Sequence, residues 1–168
     1  LYAGDITRVM PVNGKFTPQQ KELYDIVLAA QAAAIRQVRA GVPIGKAYDA
    51  AAKVMTEGLV TLKVLRGKVS KLFANKAYQP YFPHGVGHSL GLDVHDVGRI
   101  RGYRDAVLEA GMVITIEPGL YFRKKVGRVP ACGVRIEDNV LVTKRGCEIL
   151  SAGFPKETRQ IEDLMAVG

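Results

Sequence analysis

The chain is poor in histidine and cysteine. Of 168 residues, three are histidine and two are cysteine. Cys132 and Cys147 form no CxxC pair and suggest no disulfide scaffold. A thiolate-rich structural zinc site is thereby disfavoured, and a reducing, cytoplasmic setting is expected. No apolar run approaches the roughly 20 residues a membrane span needs, and no secretory-signal pattern opens the sequence, so no membrane association is expected. Acid is scarcer than base, with 16 Asp and Glu against 24 Lys and Arg and a net charge of +8. That excess could serve nucleic acid, but it is spread out. Its densest groups, RIRGYR (99–104) and RKKVGR (123–128), contain glycine and read as solvated loops. No zinc-finger, RNP or helix-turn-helix signature accompanies them, so no nucleic-acid partner is expected.

The rest is ordinary globular composition, 48% hydrophobic and 24% charged, enough for a single domain over residues 1–168 with a real core. The opening LYAGDITRVMPV reads as a strand without polar lead-in or helix cap, the middle of a hairpin whose first strand lies upstream. The chain is therefore expected to be a piece of a longer protein. VNGKF (12–16) signals a tight turn. Thr17, Pro18 and Gln20 then supply an N-cap, a first-turn proline and a capping box. Apolar residues from Leu23 to Val38 mark one helix face, with Gly41 as its end. A second helix runs from Ala47 to Leu62, with Gly58 as a weak point inside it. Both helices read as cover for a sheet, without chemistry of their own.

The chemistry lies elsewhere. All three histidines, His84, His88 and His95, fall in PHGVGHSLGLDVHDVG (83–98). Gly85, Gly87, Gly91 and Gly98 rule out a regular helix there. With no Glu between His84 and His88, the HExxH zinc motif is excluded. Histidine clusters earn a functional reading when carboxylates or a metal join them. GMVITIEPGLY (111–121) reads as a buried strand halted by Pro118, and GVRIEDNVLVT (133–143) as a second. By alternation Val113, Thr115 and Glu117 share a face, as do Arg135, Glu137 and Asn139, and in the opening stretch Ala3, Asp5 and Thr7. Singly, each acid has a plain explanation: Asp5 could pair with Arg8, Glu137 with Arg135, and Glu117 could mark a strand end. Three buried acids brought together would repel, and divalent cations would remove that cost. One histidine with several carboxylates is a hard, oxygen-rich donor set that favours Mn²⁺ or Co²⁺, with Zn²⁺ possible.

The segments YAGDITRVMPVNGKFT, HGVGHSLGLDVHDVG, LEAGMVITIEPGLY and GVRIEDNVLVT, in that order, resemble four consecutive motifs of the pita-bread metallopeptidases. Methionine aminopeptidase shares that fold, but the run Leu92-Asp93-Val94-His95-Asp96 points to the proline-specific branch of aminopeptidase P and prolidase. The resemblance implies an α+β pita-bread domain, incomplete at its N-terminal side. It also implies two divalent metal ions, Mn²⁺ foremost, held by two Asp, one His and two Glu. By position, Asp5 resembles the second Asp, His88 the histidine ligand, Glu117 the first Glu and Glu137 the bridging Glu. His84 and His95 resemble the two non-ligand histidines that meet substrate, and Arg135 the arginine supporting the site. The family's first Asp would precede Leu1, so the chain alone is expected to have little activity. The implied reaction is metal-dependent hydrolysis of the Xaa-Pro bond, with Glu117 shuttling the proton, on peptides carrying proline second, in a homo-oligomer. Some pita-bread proteins have instead lost their ligands and bind peptides or proteins without catalysis. Here every ligand position that the chain covers is filled.

Overall fold

The computed structural model describes residues 1–97 and 104–166. Helix α1, Pro18–Ile35, begins as the sequence predicts. Thr17 Oγ1 accepts from the Gln20 amide at 3.2 Å, and Gln20 Oε1 accepts from the Thr17 amide at 2.9 Å. It ends before Gly41, because the following backbone turns to partners outside the helix. The Ala40 amide donates to Thr143 O at 3.1 Å and the Gly41 amide to Leu108 O at 2.8 Å. Helix α2 is Gly45–Thr61. Gly58 proves to be a contact point rather than a weakness: a Cβ there would stand 2.5 Å from Ile26 Cγ2, so only glycine lets the two helices approach this closely. Helix α1 lies on the strands and α2 packs chiefly on α1, so the expectation that both cover the sheet holds for the first.

The two expected strands are each divided. Strands β1 (Val113–Ile116) and β2 (Gly119–Phe122) are separated at Glu117-Pro118, and β3 (Cys132–Arg135) and β4 (Asp138–Val142) at Ile136-Glu137. Pro118 therefore interrupts its strand rather than halting it. The pairs belong to different sheets, β1-β4-β5 and β2-β3, yet they form one long antiparallel hairpin broken in the middle. Register is continuous across the break, with Ile116 opposite Asp138 before it and Gly119 opposite Arg135 after it. Glu117 thus stands opposite Glu137. One face carries Thr115, Asn139, both glutamates and Arg135. The other carries Ile114, Ile116, Leu120, Val134 and Ile136, all buried in the core with Leu23, Tyr24 and Phe82.

Three elements are not anticipated from the sequence: α3 (Val69–Ala74), β5 (Cys147–Ile149) and α4 (Thr158–Met165), although Glu157 and Gln160 form a capping box at the start of α4. The opening stretch, expected as a strand, forms no ladder among the described residues. Single bonds hold it instead, from the Ala3 amide to Gly91 O (2.8 Å) and from the Glu137 amide to Thr7 O (3.1 Å). The basic loop 123–128 is solvated as expected, whereas most of 99–104 lies outside the described residues.

Candidate metal centre

The histidine stretch is irregular, as its glycines require, but it is laid along β1 on the side away from β4. The Glu117 amide donates to Val86 O (2.8 Å), Thr115 to His88 O (2.9 Å) and Leu90 to Val113 O (3.0 Å). Gly87 makes this approach possible, since a Cβ there would fall 1.9 Å from Thr115 O. Residue 88 is thereby fixed opposite Thr115, two residues before Glu117 on the same face of the strand. The opening stretch crosses the same face and delivers Asp5 and Thr7.

Four predicted ligands converge. His88 Nε2 lies 3.4 Å from Asp5 Oδ2 and 3.4 Å from Glu117 Oε1. His88, Glu117 and Glu137 offer donor atoms that all lie within 4.8 Å of one another, and so do Asp5, His88 and His95. In the neutral His88 ring, Nδ1 donates to Ser89 O at 3.0 Å, because a carbonyl only accepts; Nε2 then faces the acids with a lone pair. A ring-nitrogen lone pair among carboxylate oxygens is a donor set for a cation. Glu137 says the same. It is 1% exposed; its Oε2 accepts from Thr7 Oγ1 at 2.6 Å, while its Oε1 is buried with no hydrogen-bond partner among the described residues. Burial first of all, with the neighbouring Glu117 and Asp5 adding to it against the Thr7 hydrogen bond, pushes the Glu137 carboxyl up to about 7. An orphaned carboxylate oxygen opposite a second carboxylate and beside a ring nitrogen fits a divalent cation.

The plain pairings are not made. Arg8 turns to Asp138, at 2.8 Å, and not to Asp5. Arg135 Nε donates to Thr7 Oγ1 at 3.1 Å and reaches Glu137 through that hydroxyl. The other two histidines separate. The exposed His95 stacks edge-on against His88, ring centroids 4.3 Å apart, within reach of the same cluster. His84 stands farther along, its Nε2 2.8 Å from the Tyr121 hydroxyl, and it lines a cavity of about 280 Å³ with Tyr48, Tyr78 and Arg104.

Sequence reasoning missed Tyr121, although alternation from Glu117 through residue 119 places it on the site face. Burial raises its phenol above the usual range. It also missed Gln31, on a helix read as free of chemistry, and Asp138; a lone glutamine in an apolar stripe was the available signal.

Comparison with known proteins gives the family. Residues 1–144 match metallopeptidase family M24. The Xaa-Pro aminopeptidase of Haemophilus influenzae is 48% identical over 98% of the chain, and that of Escherichia coli 47% over 98%. Among solved structures, Pseudomonas aeruginosa aminopeptidase PepP superposes with a TM-score of 0.93 at 46% identity over 99% of the chain. Zinc-substituted E. coli aminopeptidase P in complex with product gives the same values. The chain spans only 39% of the H. influenzae protein and of the P. aeruginosa structure, and 38% of both E. coli matches. With an α+β pita-bread fold matching these structures and a histidine–carboxylate cluster at the break of its hairpin, the chain belongs to metallopeptidase family M24.

Proposed function

We propose that this chain is the catalytic part, one domain over residues 1–168, of a metal-dependent Xaa-Pro aminopeptidase that releases the residue preceding proline. The observation that carries the reading is the buried, unpartnered Glu137 Oε1 beside His88 and Glu117. Asp5, His88, Glu117 and Glu137 would hold two divalent ions, Mn²⁺ foremost, on the hardness of the donor set. When bound, such ions polarise the scissile carbonyl and lower the pKa of water. The chain's own groups do the rest. Glu117 carries a proton toward the prolyl nitrogen, which belongs to a tertiary amide and has no hydrogen of its own. His84 and His95 donate to the substrate carbonyl and the charge developing on it. Arg135, through Thr7, keeps Glu137 oriented.

Because the chain spans about two-fifths of its relatives, we assign the missing Asp ligand to a further segment of a longer protein. A homo-oligomer is part of this reading, and the two free cysteines support a cytoplasmic, reducing compartment. The test pairs calorimetric Mn²⁺ titration with assays on Xaa-Pro and Xaa-Ala peptides, for this chain and for the whole protein. The whole protein is expected to bind two ions and cleave Xaa-Pro alone; the chain is expected to bind weakly and turn over negligibly. Equal turnover of both peptides would overturn the specificity, and two tight ions in the chain alone would overturn the division of ligands.

A further inference from the structure

Behind the two glutamates, on the apolar face of the hairpin, lies a second polar cluster. Gln31 on α1 and Asp138 on β4 are both 0% exposed. Gln31 Nε2 lies 3.2 Å from Ile116 O, 3.2 Å from Ile136 O and 3.0 Å from Asp138 Oδ2. Those carbonyls belong to the residues immediately before Glu117 and Glu137. One side-chain amide therefore spans the break in the hairpin and touches the peptide leading into each acid. Asp138 is held in turn by Arg8 Nη2 (2.8 Å), Ser151 Oγ (2.7 Å) and Lys156 Nζ (2.6 Å), and Lys156 also donates to Gln31 Oε1 at 3.0 Å. Arg8 closes the frame, donating from Nη1 to Glu137 O (2.7 Å) and to Thr7 O (3.0 Å).

We infer that Gln31 and Asp138, clamped by Arg8, Ser151 and Lys156, form a positioning unit that sets the separation of Glu117 from Glu137 and so shapes the cation site. The inference rests on the metal reading proposed above. A purely structural role would need only that each buried carbonyl find a donor. The arrangement does more: both glutamate-bearing peptides share one donor, and the segment bearing Asp5 and Thr7 is tied to the same carboxylate through Arg8. Facing acids in continuous register repel, and the hairpin is broken at that point, so the ladder itself does not fix their spacing. Side chains around ligands that orient them change metal affinity by about 10- to 100-fold when altered.

The experiment is cobalt titration of the whole protein, read by visible absorption and calorimetry, with urea unfolding in EDTA alongside. Gln31→Met keeps size and loses the donors. It should fold, weaken cobalt binding about 10- to 100-fold and alter the cobalt spectrum. Met55→Ala, buried on α2 and making none of the cluster's hydrogen bonds, is the control: it should lower stability and leave affinity and spectrum unchanged. Should Gln31→Met fail to fold, Lys156→Met, at a partly exposed position, carries the same test with an expected loss of about 10-fold. A wild-type protein that takes up no cobalt overturns both this inference and the metal reading. Wild-type binding with unchanged affinity and spectrum in the folded variants, or an equal loss in Met55→Ala, overturns this inference alone.

Discussion

Glu137 and Asp138 are neighbours in the chain, equally buried, and opposite in every other respect. Glu137 faces the site, receives one hydroxyl and leaves an oxygen without a partner among the described residues. Asp138 faces the helix and receives four donors, two of them cationic. Burial alone would raise both carboxyls. For Asp138 the hydrogen bonds of Lys156, Ser151 and Arg8 outweigh it and hold the group below the usual carboxylate range, whereas Glu137 rises to about 7. The contrast separates a structural anion, complete within the chain, from a ligand that is complete only with a cation. Burial and charge do not tell the two apart; the donor inventory does.

The largest effect should come from the completed acid. Asp138→Ala leaves Arg8 and Lys156 without their buried partner, and breaking a buried pair costs about 3–5 kcal/mol. A fall in melting temperature of roughly 10 °C is expected. A loss comparable to that of a surface ion pair, below about 1 kcal/mol, would show that the cluster is solvated and the contrast false.

Glu137→Gln should act in the opposite direction on the metal-free protein. It removes a charge that burial disfavours, so stability in EDTA at pH 8 should rise, while metal affinity falls more than about 100-fold as a ligand is lost. Urea unfolding and calorimetry read the two effects separately. A variant destabilised in EDTA as much as Asp138→Ala would mean that Glu137 too is held as a structural anion.

The pH dependence follows with its sign. The Glu137 pKa is raised in the fold from 4.5 to about 7, so its contribution is fully present below pH 4.5 and lost as pH rises through 7. The loss is about 3 kcal/mol on the scale of 1.36 kcal/mol per unit. The Asp138 pKa is lowered from 3.8, so its contribution is present above that value and lost as pH falls below it. Unfolding in EDTA between pH 3 and 9 should therefore show a maximum between these limits, and Glu137→Gln should flatten its alkaline side. An unchanged alkaline slope in that variant would place the titration elsewhere.

How much of this was legible in the sequence follows from the same two residues. Alternation placed Thr115, Glu117, Arg135 and Glu137 on the site face, because a strand's period survives a break that keeps its register. Capping chemistry placed the start of α1 at Thr17, because that bond is local. The break itself was only half visible: Pro118 signalled it on one strand, and nothing in Ile136-Glu137 signals it on the other. Asp138 fell on the apolar face, and its partners Arg8, Gln31, Ser151 and Lys156 are scattered from one end of the chain to the other. No local spacing reveals such a cluster. The opening stretch has strand composition, and among the described residues it meets only isolated backbone partners.

The smallest effect tests the one hydroxyl that Glu137 does have. Thr7 Oγ1 donates to Glu137 Oε2 at 2.6 Å and accepts from Arg135 Nε at 3.1 Å, and it counters the rise that burial imposes on that carboxyl. Thr7→Val keeps the shape and removes both bonds. A hydrogen bond to a charged group contributes about 1.5–3 kcal/mol, so the carboxyl should rise by about one further pKa unit. Metal binding requires the deprotonated acid, and the pH midpoint of cobalt binding should move up by about the same amount. At pH 9, where both proteins have lost that proton, the affinities should nearly agree. Thr7→Ser, which restores the hydroxyl, should return the midpoint to its original value. A midpoint that stays fixed in Thr7→Val while affinity drops at every pH would mean that Thr7 acts by shape alone, and that a group other than Glu137 sets the proton linkage of the site.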